Sequence, residues 1–311
     1  MIRSRLSNLF LPLFAVLAAC SNESAGADTA SDTASDAPPH FLAAYGNGAT
    51  IDILELDSSD GTVTNVGEWP AIVGYNGFPI VFDHALVTLG VETPQTVDSP
   101  FLSSLDPREF STEQHPHIPD NRVADFIAFD GVLYGVIGTG TAIDVAALNL
   151  TTGAATIVGT VADMALYSPR TVIFVSEVCA LGETAAAPGA QALFCFDPAD
   201  PTAATHVALS GPVSAIYAVG ERLIAVLGTG TQIELHEIDR NTGVVTLLGT
   251  VPNLFDMYAP SPSGVGEAIY VLGRPTAAAA VALYRIPIDD IPATSSMPIT
   301  QDPGDLLPYS Y

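Results

Sequence analysis

One pattern occurs three times along this chain of 311 residues. Residues 46–72 (GNGATIDILELDSSDGTVTNVGEWPAI) align without a gap on 138–164 and again on 228–254. A fixed period constrains the fold more than any single motif, because each unit buries its apolar surface against copies of itself. Each unit of about ninety residues divides into halves of about forty-five. The second halves carry their own matches at the same spacing: FLSSLD (101–106), ALFCFD (192–197) and ALYRIP (282–287).

Six units of about forty-five residues have the length of six four-stranded blades, which predicts an all-β, six-bladed β-propeller. Alternation and turn residues mark the strands between 124 and 163. Strand A is ADFIAFD, B is VLYGVIG, C is AIDVAALNL and D is AATIVGTV. Glycines at 61, 153 and 243 close the equivalent C-to-D turns. The repeat begins at a B strand near Phe41, which leaves blade one without its innermost strand. The C-terminal DLLPYSY (305–311) reads like DMALYSP (163–169), so the tail is expected to complete blade one and close the ring. Closure removes an open seam between first and last blades.

The N-terminus reads as targeting sequence. Arg3 and Arg5 precede an apolar run from Leu9 to Ala19, too short to span a bilayer as a helix. Leu17-Ala18-Ala19-Cys20 resembles a bacterial lipobox. The resemblance implies cleavage before Cys20, lipidation of Cys20 and, with Ser21 following, outer-membrane sorting. The expected organisation is a signal peptide over 1–19, a lipidated Cys and disordered tether over 20–40, and a propeller over 41–311. The tether is rich in Ser, Ala, Asp and Thr and lacks apolar surface to offset its ordering entropy. As a flexible coil it spans on the order of 25 Å.

Charge is extreme. The chain has no lysine, and loss of the signal leaves seven arginines against 34 Asp and Glu, a net charge of −27. A field of that sign excludes nucleic-acid binding and contact with anionic lipid other than through the anchor. It suits solubility in a salty extracellular setting, or attraction of divalent cations and basic partners. Of three cysteines, Cys20 goes to lipid. Cys179 and Cys195 fall on neighbouring strands of blade four, within disulfide reach. A bridge there stabilises by roughly 3 kcal/mol in the loop-entropy account.

Strand order assigns the faces. B-to-C loops and D-to-A connections share one face, and the A-to-B and C-to-D turns and the tether share the other. B-to-C loops are tight in odd blades and about ten residues long in even ones. Loops on a rigid scaffold are where binding residues concentrate. The candidates on this outward rim are Glu92, Asp98, Glu183 and Arg274. The D-to-A connections add Trp69, Asp120, Arg122, Asp163 and Asp256 near the channel mouth. Trp69 would stack on a sugar or partner side chain, or pack against the next blade. Asp163, Asp256 and Asp305 occupy similar places in the sequence, and converging carboxylates there would suit Ca²⁺.

The cluster Glu113-Gln114-His115-Pro116-His117 falls on the outermost strand of blade two and reads as a solvated edge. No nucleophile elbow, P-loop or H-E-x-x-H motif occurs, and no catalytic residue is assigned. The blade pattern Leu133-Tyr134, Thr152-Gly153 and Thr156-Ile157-Val158-Gly159 resembles that of bacterial envelope propellers. Such a fold hosts binders and enzymes alike. The expected function is therefore a lipid-anchored envelope module that binds a protein or glycan. The alternative is a hydrolase- or lactonase-like enzyme acting on a small molecule in the channel; neither reading requires a cofactor, and Ca²⁺ is the candidate for the enzyme.

Overall fold

The computed structural model describes residues 40–46, 50–69, 72, 74–91, 101–107, 109, 111–117, 123–230, 232–257, 263–300 and 307–308. They form six antiparallel sheets in the order expected of a six-bladed propeller. Blade three is representative, with Val123–Phe129, Val132–Gly138, Ile143–Leu148 and Ala155–Val161 as strands A to D. Blade one takes its inner strand from the end of the chain: Leu307 pairs with Leu42 and Pro308 with Phe41. The C-terminal strand therefore closes the ring, as the repeat predicts.

Alternation along each strand explains how the blades hold together. In blade four, Val178 and Ala180 pack toward blade three while Cys179 and Leu181 pack toward blade five. Apolar clusters bridge every pair of consecutive blades, including Phe41 and Leu56 of blade one with Tyr270, Leu272 and Leu283 of blade six. The Phe41 and Tyr270 rings lie 5.2 Å apart at this last seam.

The rim of turns follows from local chemistry. Asp57, Asn149 and Asp239 each accept a backbone N–H inside their own C-to-D turn, at 2.7, 2.9 and 2.8 Å. Part of the chain's acidity is thus turn-forming. Gly61 and Gly243 have φ of +77° and +70°, and a Cβ on either would strike a carbonyl of the preceding blade, at Pro298 and Ala208. The preceding blade fastens there: Thr300 and Ser210 donate N–H groups to the Gly61 and Gly243 carbonyls, at 3.2 and 2.9 Å. Their hydroxyls accept from Val63 and Val245, each at 2.9 Å.

The even blades depart from the plain repeat. In the inner strand of blade two, Gly74–Phe82, the register slips between Asn76 and Ile80. In blade four, Met164–Phe174 slips between Tyr167 and Thr171. Blade six has its inner strand in two pieces, Asp256–Met257 and Ser263–Val265. The inserted residues include Pro79 and Pro169, and proline is confined to bulges and edges in sheets, a signal that a reading by alternation alone passed over.

Candidate functional site

The loop face is built where B-to-C loops meet D-to-A connections. In blade four the Asp163 carbonyl and carboxylate both accept from Ala185 N–H, each at 3.1 Å. Glu183 accepts from Gly189 N–H at 2.6 Å, and the Thr184 hydroxyl accepts from Ala187 N–H at 3.1 Å. The Gln191 amide exchanges two hydrogen bonds of 2.8 Å with the Val213 backbone, which ties this loop to the entry of blade five. Residues 185–190 are nevertheless exposed throughout. The equivalent loop of blade six has the same Ala-rich character and is likewise largely exposed over 275–280, with Ala279 N–H donating to the Thr276 carbonyl at 3.0 Å. Asp163 and Glu183 thus brace a loop whose apolar tip faces outward.

Position decides between the two readings of Trp69 and corrects the likeness of Asp163 to Asp256. Trp69 does not present its indole at the channel mouth: it is 1% exposed, and its Nε1 donates to the Ser103 hydroxyl of blade two at 2.9 Å. The repeat explains why. Trp69, Val161 and Val251 are equivalent, and they face the seam that Ser103, Phe194 and Tyr284 enter from the next blade. Where the odd blade supplies the large ring the even blade supplies a small serine, and the reverse holds at the other two seams. Of the two sequence readings of Trp69, packing against the next blade is therefore the one that holds.

Asp163 and Asp256 are not equivalent. Asp163 has φ of +64° in a connection whose counterpart in blade six is Asn253, at +53°. Asp256 lies inside a strand, in register with Arg274. The repeat symmetry that suggested a Ca²⁺ set among these carboxylates therefore does not relate these two residues. Arg274 also anchors the connection, accepting Phe255 N–H on its carbonyl at 2.8 Å. Glu92, Asp98, Asp120 and Arg122 lie outside the described residues, as do Cys20 and Asp305.

Cys179 and Cys195 face each other in the ladder of blade four and form a disulfide. His115 and His117 fall on Ser111–His117, the outer strand of blade two.

The turn face is held by arginines. Arg222 makes a two-pronged contact with Glu237 of its own blade and reaches Asp289 of blade six at 2.7 Å. The hydrogen bond to Glu237 leads the causes that raise its already high pKa. Arg240 pairs with Glu177 of blade four. Backbone N–H donors from Asn241 and Thr242 lower the pKa of Asp239, and burial raises that of Tyr284, whose hydroxyl donates to the Asn253 carbonyl at 2.6 Å. Sequence reasoning did not single out Ser103, Glu177 or Gln191, whose roles depend on which blade each meets. Among the described residues the Thr88 hydroxyl, in a fully buried residue opposite Ser103, has no hydrogen-bond partner, and neither has Arg240 Nε.

No protein-family model and no curated protein matches this chain. Solved structures do match. TolB from Acinetobacter baumannii aligns with a TM-score of 0.56 at 13% identity, over 86% of this chain and 65% of that one. An oligogalacturonate lyase in complex with manganese aligns at 0.51 and 13%, over 83% and 73%. The propeller domain of the Trilobed protease from Pyrococcus furiosus, described as having an open velcro topology, aligns at 0.50 and 10%, over 79% and 75%. The chain spans about two thirds of the TolB chain, 65% of its length. At such identities the likeness is one of fold, and it establishes the six-bladed propeller.

Proposed function

We propose that this chain is an exported, lipid-anchored propeller whose even-blade loops bind a protein or glycan of the bacterial envelope. The observation that carries the reading is the loop rim: exposed Ala-rich tips over 185–190 and 275–280, the first braced from below by Asp163, Glu183 and Thr184. A braced loop loses little entropy when it docks, which is the advantage of preorganisation. The Cys179–Cys195 disulfide fits an oxidising compartment, and the lipobox-like stretch ending at Cys20 fits an anchor. The first described strand, His40–Gly46, starts on the turn face, which supports a tether leaving from that side and a loop face turned outward. TolB is a fold neighbour and supports such a role by analogy only.

The test is a photo-crosslinking residue at Ala186, with Asn241 on the turn face as the matched control. The expected result is one recurrent partner trapped from position 186 and none from 241. Equal trapping from both, or none from either, contradicts the reading.

A second reading rests on the slipped registers of the inner strands in blades two and four. Bulges often mark active sites, so the channel is the place for an enzyme acting on a small molecule, and Ca²⁺ remains a candidate cofactor for it. Turnover of such a substrate, abolished by regularising Gly74–Phe82, would favour this reading over the first.

A further inference from the structure

A compact set of donor atoms lies at the seam between blades four and five. Glu177 opens strand B of blade four, and Cys179, two residues on, shares its face of the strand. Cys179 stands opposite Cys195 in the ladder. The Glu177 carboxylate and both sulfurs lie within 4.8 Å of one another, the single such trio of His, Cys, Asp and Glu among the described residues. The cysteines are 0% and 3% exposed, whereas the Glu177 side chain is 34% exposed, so the trio runs from the core to the surface. Arg240 of blade five contacts Glu177, and its own Nε is enclosed without an acceptor.

We propose that, once the Cys179–Cys195 bond is opened by a dithiol reductant, Cys179, Cys195 and Glu177 form a site for a thiophilic divalent cation, zinc. The dithiol gives up two electrons and two protons and becomes a disulfide, while the two cysteines become thiols. Zinc then displaces both thiol protons to solvent. Two thiolates and a carboxylate bring three negative charges, which the divalent ion and the Arg240 guanidinium balance. Zinc takes sulfur at about 2.3 Å and carboxylate oxygen at about 2.0–2.2 Å, and three protein donors leave a fourth tetrahedral position for water. Sequence spacing alone hid the site, since the third donor is neither His nor Cys.

The experiment uses the whole propeller, reduced with dithiothreitol, freed of it without air, and titrated with Co²⁺ and then Zn²⁺. The expected result is one ion per chain with a thiolate-to-cobalt charge-transfer band, absent from the oxidised protein and from Cys195→Ser. Glu177→Gln is expected to weaken zinc by roughly tenfold or more, since even outer-shell changes cost that much. The proposal is overturned if the reduced chain binds no more metal than the Cys179→Ser, Cys195→Ser double variant. Unchanged affinity in Glu177→Gln, or loss of the β-sheet circular dichroism on reduction, overturns it equally.

Discussion

Odd and even blades are built from one repeat but differ in their loops and inner strands. The odd blades have tight B-to-C turns such as Gly138 to Ala142, where Thr139 N–H donates to the Ala142 carbonyl at 2.9 Å. The inner strand of blade three, Val123–Phe129, slips once, between Val123 and Asp125. The even blades carry the long loops and the larger interruptions of the inner strands. The larger interruptions of the inner strand are thus concentrated in alternate blades, while each odd blade has a one-residue shift between strands C and D, at Ile53/Leu54, Val145/Ala146 and Leu235/His236. Departures from local consistency are where functional sites are expected.

The comparison can be broken most severely at blade one, the odd blade completed by the tail. Deleting residues 304–311 removes Leu307–Pro308 and opens the seam to blade six. It is expected to take a large share of the roughly 5–15 kcal/mol typical of a domain. Thermal melting checks this, and a truncated chain that melts like the parent would falsify closure by the tail.

The seams sharpen the comparison. Trp69→Ala should cost about 3–5 kcal/mol, as large aromatic truncations in a core do. Trp69→Val combined with Ser103→Phe imitates the seams of Val161 with Phe194 and Val251 with Tyr284. The pair should be more stable than the sum of its single changes by about 0.5–3 kcal/mol, measured by denaturant unfolding. Strict additivity would mean that the three seams are not interchangeable. The smallest effect is expected at Thr88→Val. This change removes a buried hydroxyl with no partner, so stability should hold or rise by about 1 kcal/mol. A loss of more than that would reveal a bond the hydroxyl makes.

The ring was legible in the sequence because its repeat is long and gapless, and closure was legible because DLLPYSY echoes DMALYSP. The disulfide was legible because Cys179 and Cys195 fall on adjacent strands of one predicted hairpin. The site was less legible. Asp163 and Asp256 look alike in local sequence, yet the register places one in a turn and the other in a strand. Trp69 was open to two readings, stacking on a ligand or packing against the next blade, and the sequence did not name its partner Ser103, which lies 34 residues away on another blade. Local patterns report strands and turns; they do not report which side chains share a seam.

The central claim is that the even-blade loops form the working face on an odd-blade scaffold. It is tested by replacing residues 185–190 and 275–280 with the tight Gly-Thr-Gly turn of the odd blades and measuring partner crosslinking in cells beside the melting temperature. Crosslinking in both chains is read from a photo-reactive residue at Gln191, just outside the replaced loop. The account predicts that the protein still folds, melting within about 3 °C of the parent, a shift worth roughly 1 kcal/mol in a domain of this size, while the partner is lost. A chain that keeps its partner without these loops would contradict it.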